Sequence, residues 1–353
     1  MPATPPATPE PPNRAARHRA ARIEDWFHGL RARWARARGQ VPTIVPYTGY
    51  GSTDWVRVFC RVLLVKPELA RRTRRRRDGR PEREAVLRGW RSFLSVPVGD
   101  VPVTVEIEGR RYDVRADRGG VVDTRIPAEL GPGWHRAKLS TPGGADVEAP
   151  LHIISPDETF GVISDVDDTV MVTALPRPLV AAWNTFVLDE HARIPTPGMG
   201  VLFERLVRAH PGAPVIYLST GAWNVAPALR RFLSRNMFPD GPLLLTDWGP
   251  THDRWFRSGR EHKEDNLRRL ADEFPNIRWL LIGDDGQHDE ELYADFAAER
   301  PASVAAVAIR RLSPGEAVLA GGRANAPHGD EVPWVSASDG STIADRLADV
   351  GLL

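Results

Sequence analysis

At 353 residues the chain exceeds what one ordinary hydrophobic core accommodates, so two domains with tails are expected. Its 47 lysines and arginines nearly balance 46 aspartates and glutamates, which gives no global reason to expect a polyanionic partner, nucleic acid included. The single Cys60 excludes a disulfide framework and any multi-cysteine metal site. No apolar run approaches the ~20 residues that span a bilayer. Met1-Pro-Ala-Thr-Pro-Pro lacks the charged head and apolar core of a signal peptide, so a soluble, cytoplasmic protein is expected.

Residues 1–16 are polar and rich in proline, which predicts a disordered tail. Residues 17–40 read as a basic amphipathic helix. Ile23, Trp26, Phe27, Leu30 and Trp34 share one face, Arg22, Arg31, Arg33, Arg36 and Arg38 surround it, and Gly39 is a stop. That stripe either docks on the protein's own core or lies in a membrane interface. Over residues 41–154 the hydrophobic period changes to two, with short strands punctuated by glycine and proline. A small all-β, sandwich-like or barrel domain is expected. Gly49, Tyr50 and Gly51 read as a tight turn. The basic run Arg71-Arg-Thr-Arg-Arg-Arg-Arg77 is either a solvated loop or an attractor for acidic lipid headgroups. No aromatic residue interleaves it, which argues against a base-stacking platform.

From Ser155 strands alternate with helices. Strands are expected at 160–163, 215–218, 243–245, 277–282 and 304–309, and helices at 198–209, 225–235, 263–274 and 290–300. This alternation predicts an α/β domain over residues 155–315 built on a doubly wound parallel sheet. Residues 316–353 form a C-terminal extension, loop-like at first. Its Val332-Pro-Trp-Val335 stretch and a final helix from Ser341, with a serine or threonine cap, are expected to pack back.

The chemistry concentrates in Gly161-Val-Ile-Ser-Asp-Val-Asp-Asp-Thr-Val170, where a buried strand closes on Asp165, Asp167 and Asp168. Open α/β sheets bind ligands at the carboxyl ends of their strands. Three carboxylates in four residues repel one another, and oxygen ligation favours Mg²⁺ as the counter-charge over zinc. A solvated acidic turn is the alternative. A calcium loop of the EF-hand type is not, because Val170 and Pro176 occupy the places of its glycine and glutamate. The second strand leads to Ser219, the helix after the third is expected to open with Lys263, and the fourth leads to Asp284 with Asp289. Singly, Ser219 reads equally as a helix cap and Lys263 as a solvated lysine.

In this order and spacing the residues resemble the four motifs of the haloacid-dehalogenase-like phosphohydrolases. More narrowly, they are similar to the actin-patch-type phosphatidate phosphatase catalytic domain and its bacterial relatives. The resemblance rests on Ser164-Asp-Val-Asp-Asp-Thr-Val170, Asn184-Thr-Phe186, Pro195-Thr-Pro-Gly-Met199, Tyr217-Leu-Ser219 with Trp223, His262-Lys263, and Ile282-Gly-Asp-Asp-Gly-Gln-His-Asp289 with Tyr293. Gly221-Ala222 and Asp285 depart from the eukaryotic pattern.

The resemblance implies a haloacid-dehalogenase-like sheet without a large cap and a Mg²⁺-dependent phosphatase acting on phosphatidate or a related lipid phosphate. It makes Asp165 the nucleophile and Asp167 the general acid and base, with Ser219 and Lys263 completing the catalytic set. It assigns phosphate binding to Ser219, Thr220, Lys263 and Thr169, and metal binding to Asp165, Asp167 through its carbonyl, Asp284 and Asp289. A peripheral contact with acidic membrane is an expectation. Two other readings stay open: a phosphatase of soluble or protein phosphates, and a non-catalytic phospholipid-binding module.

Overall fold

The computed structural model describes residues 37–66, 96–172, 194–246, 252–286, 288–319 and 327–353. The tail, nearly all of the basic amphipathic helix, the Arg71–Arg77 run and the Asn184-Thr-Phe186 motif lie outside the described residues.

The first half is all-β. Strands β1 (Val41–Pro46), β2 (Gly49–Ser52), β3 (Trp55–Val65), β4 (Val96–Pro97), β5 (Pro102–Ile107), β6 (Arg110–Arg115), β7 (Val121–Pro127), β8 (Gly133–Ser140) and β9 (Val147–Ile153) join into one sheet. Its pairings are antiparallel except β2 with β9. Where a sandwich or barrel is expected, hydrogen bonding runs through β3, which pairs with β1, β2, β4 and β7. Successive side chains of a strand point to opposite faces. Val56, Val58, Cys60, Val62 and Leu64 of β3 therefore fill the core of the β half, while Trp55 and Phe59 enter the core of the α/β half.

Gly49, Tyr50 and Gly51 form strand β2, not the expected turn. The glycines allow close approach: a Cβ on Gly49 would stand 2.4 Å from the Arg57 carbonyl oxygen, and one on Gly51 2.2 Å from that of Trp55. Tyr50 between them is fully buried, and its hydroxyl donates to Glu273 Oε2 at 2.7 Å, tying the two halves together.

The second half is a six-stranded parallel sheet. In chain order its strands are β10 (Phe160–Asp165), β13 (Val215–Ala222), β14 (Leu243–Thr246), β15 (Arg278–Asp284), β16 (Val304–Arg310) and β17 (Trp334–Ala337). A small ladder of β11 (Met171–Val172) and β12 (Ile194–Pro195) stands beside it. Helices α1 (Met199–Ala209), α2 (Ala226–Arg235), α3 (His252–Glu273), α4 (Asp289–Glu299), α5 (Pro314–Leu319) and α6 (Gly340–Asp349) connect or follow the strands. All residues of β10 and β16 are buried, as expected of parallel strands covered on both faces. The spatial order is β14-β13-β10-β15-β16-β17, so the direction of winding reverses between β10 and β15. A crevice opens at such a reversal, outside the strands' carboxyl ends.

Two expectations about elements change, while the 332–335 stretch packs back as expected, its strand pairing with β16. Lys263 does not open its helix but sits midway along α3, which begins at His252. The stretch before Lys263 has no apolar periodicity to mark it. The 332–335 stretch becomes β17, shifted past Pro333, which has no N–H to donate; its carbonyl accepts from Val307 N instead. Helix α6 is capped by Asp339, whose side chain accepts from Thr342 N at 3.0 Å, not by a serine or threonine. Among the described residues no helix is long and apolar enough to cross a membrane.

Candidate active site

Asp165, Asp284 and Arg310 are the last residues of β10, β15 and β16. Ser219 lies in β13, which runs four residues beyond its expected end, with a register slip against β14 between Leu218 and Ala222. Parallel register therefore delivers these groups to one end of the sheet. Helix α3 brings Lys263 across that end, and the first residue of α4 supplies Asp289.

Lys263 Nζ donates to Asp165 Oδ1 at 2.7 Å and to Asp289 Oδ1 at 2.5 Å, all three side chains being buried. Asp165, Asp289 and Asp284 offer carboxylate oxygens within 4.8 Å of one another. In each of the three, Oδ2 is buried without a hydrogen-bond partner. Asp284 Oδ1 accepts from Gly286 N at 2.7 Å.

After β10 the chain makes a tight turn. Val166 O accepts from both Val170 N and Met171 N, and Asp168 takes a left-handed φ of 57°. The turn sends the Asp167 carboxylate towards β13, where Ser219 Oγ donates to its Oδ2 at 3.0 Å. Ser219 Oγ in turn accepts from Gly221 N at 3.0 Å, so the serine is oriented by its own strand.

Burial drives the charges of this site. It pushes the Asp165 carboxyl well above the usual range, with Lys263 opposing and Asp289 and Asp167 reinforcing. Asp284 is raised well above its usual value too, first by burial and then by Asp289, Asp165 and Asp168. For Lys263 burial favours the neutral amine, but Asp165 and Asp289 outweigh it and hold the ammonium. Among the described residues Asp165, Asp167, Asp168, Asp284, Asp285, Asp289 and Glu290 are buried, against buried cations at Lys263 and Arg310 only. That surplus of acid, with three oxygens lacking partners, fits a hard divalent cation held by carboxylates.

The structure thus brings together Asp165, Asp167, Ser219, Lys263, Asp284 and Asp289. Thr169 is fully buried beside them, and its Oγ1 has no hydrogen-bond partner. Thr220 turns its methyl group towards Gly259 of α3, and its carbonyl accepts from Thr246 Oγ1. Asp285 is not a site group. It accepts from Leu312 N at 2.8 Å and faces Arg311, which fixes the chain after β16. Sequence reasoning missed Arg310, which ends its strand as Asp165 and Asp284 end theirs. A lone arginine after an apolar run carries no signal of burial.

Residues 160–311 match the family described as phosphatidate phosphatase APP1, catalytic domain. The chain is similar to phosphatidate phosphatase APP1 of Saccharomyces cerevisiae, at 27% identity over 235 residues, 62% of this chain and 39% of the yeast protein. It is also similar to an uncharacterized protein of Schizosaccharomyces pombe, at 26% identity over 160 residues, 43% of this chain and 25% of that one. The chain therefore spans well under half the length of these curated relatives. Among solved structures, a carbohydrate acetylesterase from Xanthomonas citri aligns over 87% of this chain and 74% of that chain, at 12% identity and a TM-score of 0.31, an overlap too loose to argue from. The stretch that holds the clustered carboxylates thereby matches the catalytic domain of a phosphatase, a hydrolase.

Proposed function

We propose that this chain is a Mg²⁺-dependent phosphatase that hydrolyses phosphatidate or a related lipid phosphate monoester through an aspartyl-phosphate at Asp165. The observation that carries the reading is the buried Lys263 ammonium between Asp165 and Asp289, with Asp284 within carboxylate-bridging reach. The domain it belongs to is read as residues 155–315, a haloacid-dehalogenase-like doubly wound unit. Residues 41–154 form the β-rich domain before it, and 316–353 the extension after it.

Asp165 carries out the first displacement. A carboxylate oxygen forms a bond to phosphorus as the ester P–O bond breaks, and the bonding pair leaves with the ester oxygen. Asp167, beside Ser219, gives that oxygen its proton. In the second displacement Asp167 takes a proton from water, the water oxygen bonds to phosphorus, and phosphate leaves with Asp165 regenerated. Lys263 and Ser219 hold the equatorial phosphoryl oxygens, with Lys263 also orienting Asp165. Asp165, Asp284, Asp289 and the Asp167 carbonyl would hold the Mg²⁺, which when bound neutralises charge on the transferring phosphoryl group. A lipid phosphate at an acidic membrane surface is the substrate class, reached by a cytoplasmic protein with peripheral attachment.

Phosphate release from phosphatidate in mixed micelles tests this reading. The expected result is turnover that stops in chelator, returns with Mg²⁺ and is absent from Asp165→Asn. Full activity in chelator overturns the metal assignment. Faster turnover of short soluble phosphates than of phosphatidate, with no binding to anionic liposomes, overturns the lipid assignment.

A further inference from the structure

Arg310 is almost fully buried at the carboxyl end of β16, next to β15. Its Nη1 donates to the Asp168 carbonyl at 2.7 Å and its Nη2 to Glu316 Oε1 at 2.7 Å. Glu316 is itself fixed. Ser313 N donates to its Oε2 at 2.8 Å while Ser313 Oγ accepts from Glu316 N at 3.3 Å, a reciprocal capping box at the start of α5. The guanidinium's backbone is pinned as well, its carbonyl accepting from Asp285 N. At the far end of this chain of contacts is Asp168, a non-glycine residue in the left-handed region, which persists only where its surroundings hold it.

We propose that Arg310, held by Glu316, is a positioning residue for Asp167. By gripping the Asp168 carbonyl it locks the turn that aims the Asp167 carboxylate at Ser219 and at the leaving oxygen. The inference rests on the phosphatase reading above and extends the working apparatus to Glu316, beyond the 160–311 stretch. With the grip removed, Asp168 relaxes out of its left-handed conformation and the neighbouring carboxylate swings away from Ser219. Nucleophilic attack by Asp165, which β10 and Lys263 hold, is left in place.

The two roles separate by leaving group. An alkyl phosphate needs a proton on its departing oxygen, whereas 2,4-dinitrophenolate leaves without one. We therefore compare full-length wild type, Arg310→Gln, Arg310→Lys, Glu316→Gln and Asp167→Asn on both kinds of ester, with circular dichroism confirming the fold. The expected loss in kcat/KM, which reports the steps up to departure of the leaving group and not the later Asp167-assisted hydrolysis that both esters share, is about 100-fold for Arg310→Gln on the alkyl ester and only a few-fold on the dinitrophenyl ester, following Asp167→Asn. Arg310→Lys should recover part of the alkyl activity, and Glu316→Gln should show the same selectivity at about tenfold. Equal losses on both esters, or none, in folded variants overturn the role of Arg310. If the Arg310 variants do not fold, the partly exposed Glu316→Gln decides alone, and an unchanged ratio of the two rates overturns the proposal. Failure of the wild type to release phosphate from either ester overturns the phosphatase reading and this role with it.

Discussion

Lys263 and Asp165 illustrate how one residue sets the state of another. Without the ammonium, Asp165 would stand buried among like charges; with it, one carboxylate oxygen is held while the other has no hydrogen-bond partner. Asp165→Asn removes a charge that the metal-free site opposes. Turnover should vanish while the melting temperature in chelator stays level or rises; a folded variant that keeps more than a trace of activity contradicts the nucleophile. The neighbouring His262 gives a pH signature. Burial lowers its pKa from 6.5 to about 4, so between these values the unfolded chain binds a proton that the folded chain does not. Its contribution is complete above pH 6.5 and is lost as the pH falls to 4, at a cost of about 3 kcal/mol. The difference in stability between wild type and His262→Asn, measured by urea unfolding across this range, isolates the ring from the carboxylates. A difference that does not change with pH contradicts the assignment.

At the scale of elements, what the sequence disclosed was the strand ends, and what it hid was what surrounds them. The runs leading to Asp165 and Asp284 are mostly apolar, broken only by Ser164 and Arg278, and stop on acid, so both strands and their outputs were readable. Helix α3 was half readable. Leu267, Leu270 and Ala271 mark its buried stripe after Lys263, while the charged turns before it carry no such stripe. Tyr50 was misread because flanking glycines signal a turn locally, whereas here they admit neighbouring backbone. Packing around Gly283 gives an element-scale prediction. A Cβ there would lie 2.7 Å from Tyr293 Cε2 and 2.9 Å from Asp289 Oδ2, so α4 must move away from β15. Gly283→Ala should cost roughly 1–3 kcal/mol and, by pulling Asp289 off Lys263, lower kcat by about tenfold or more. Wild-type kcat and melting temperature together in this variant contradict the tight fit.

The two sheets behave as one body because β3 serves two cores. Tyr47, Tyr50, Trp55 and Phe59 from the β half pack in the same apolar cluster as Phe274 and Trp279 of the α/β half. Arg57 adds to the seam, donating across it to Glu273 Oε1 at 2.8 Å and, within its own half, to Asp123 Oδ1 at 2.5 Å. Calorimetry should therefore show a single unfolding transition. Tyr50→Phe strips the buried Glu273 carboxylate of one donor and should cost about 1.5–3 kcal/mol, lowering the melting point of both halves together. Two separated transitions, with only one moved by Tyr50→Phe, contradict a shared core.

The order of strands across the parallel sheet also sets a timetable for synthesis. The strand that carries Asp165 lies in the interior of the sheet, yet of that sheet's strands it leaves the ribosome first and must wait for β13 on one side and for β15, more distant along the chain, on the other. Such non-local pairing is slow, because loop closure precedes any gain from contact. Next to emerge is β16, every residue of which is buried in the finished fold. Until Trp334–Ala337 follows, it presents a bare apolar edge, the kind of surface that recruits other chains. The nascent protein thus completes its acidic centre before it covers its most adhesive strand, and the interval between β16 and β17 is where a chaperone would have most to do.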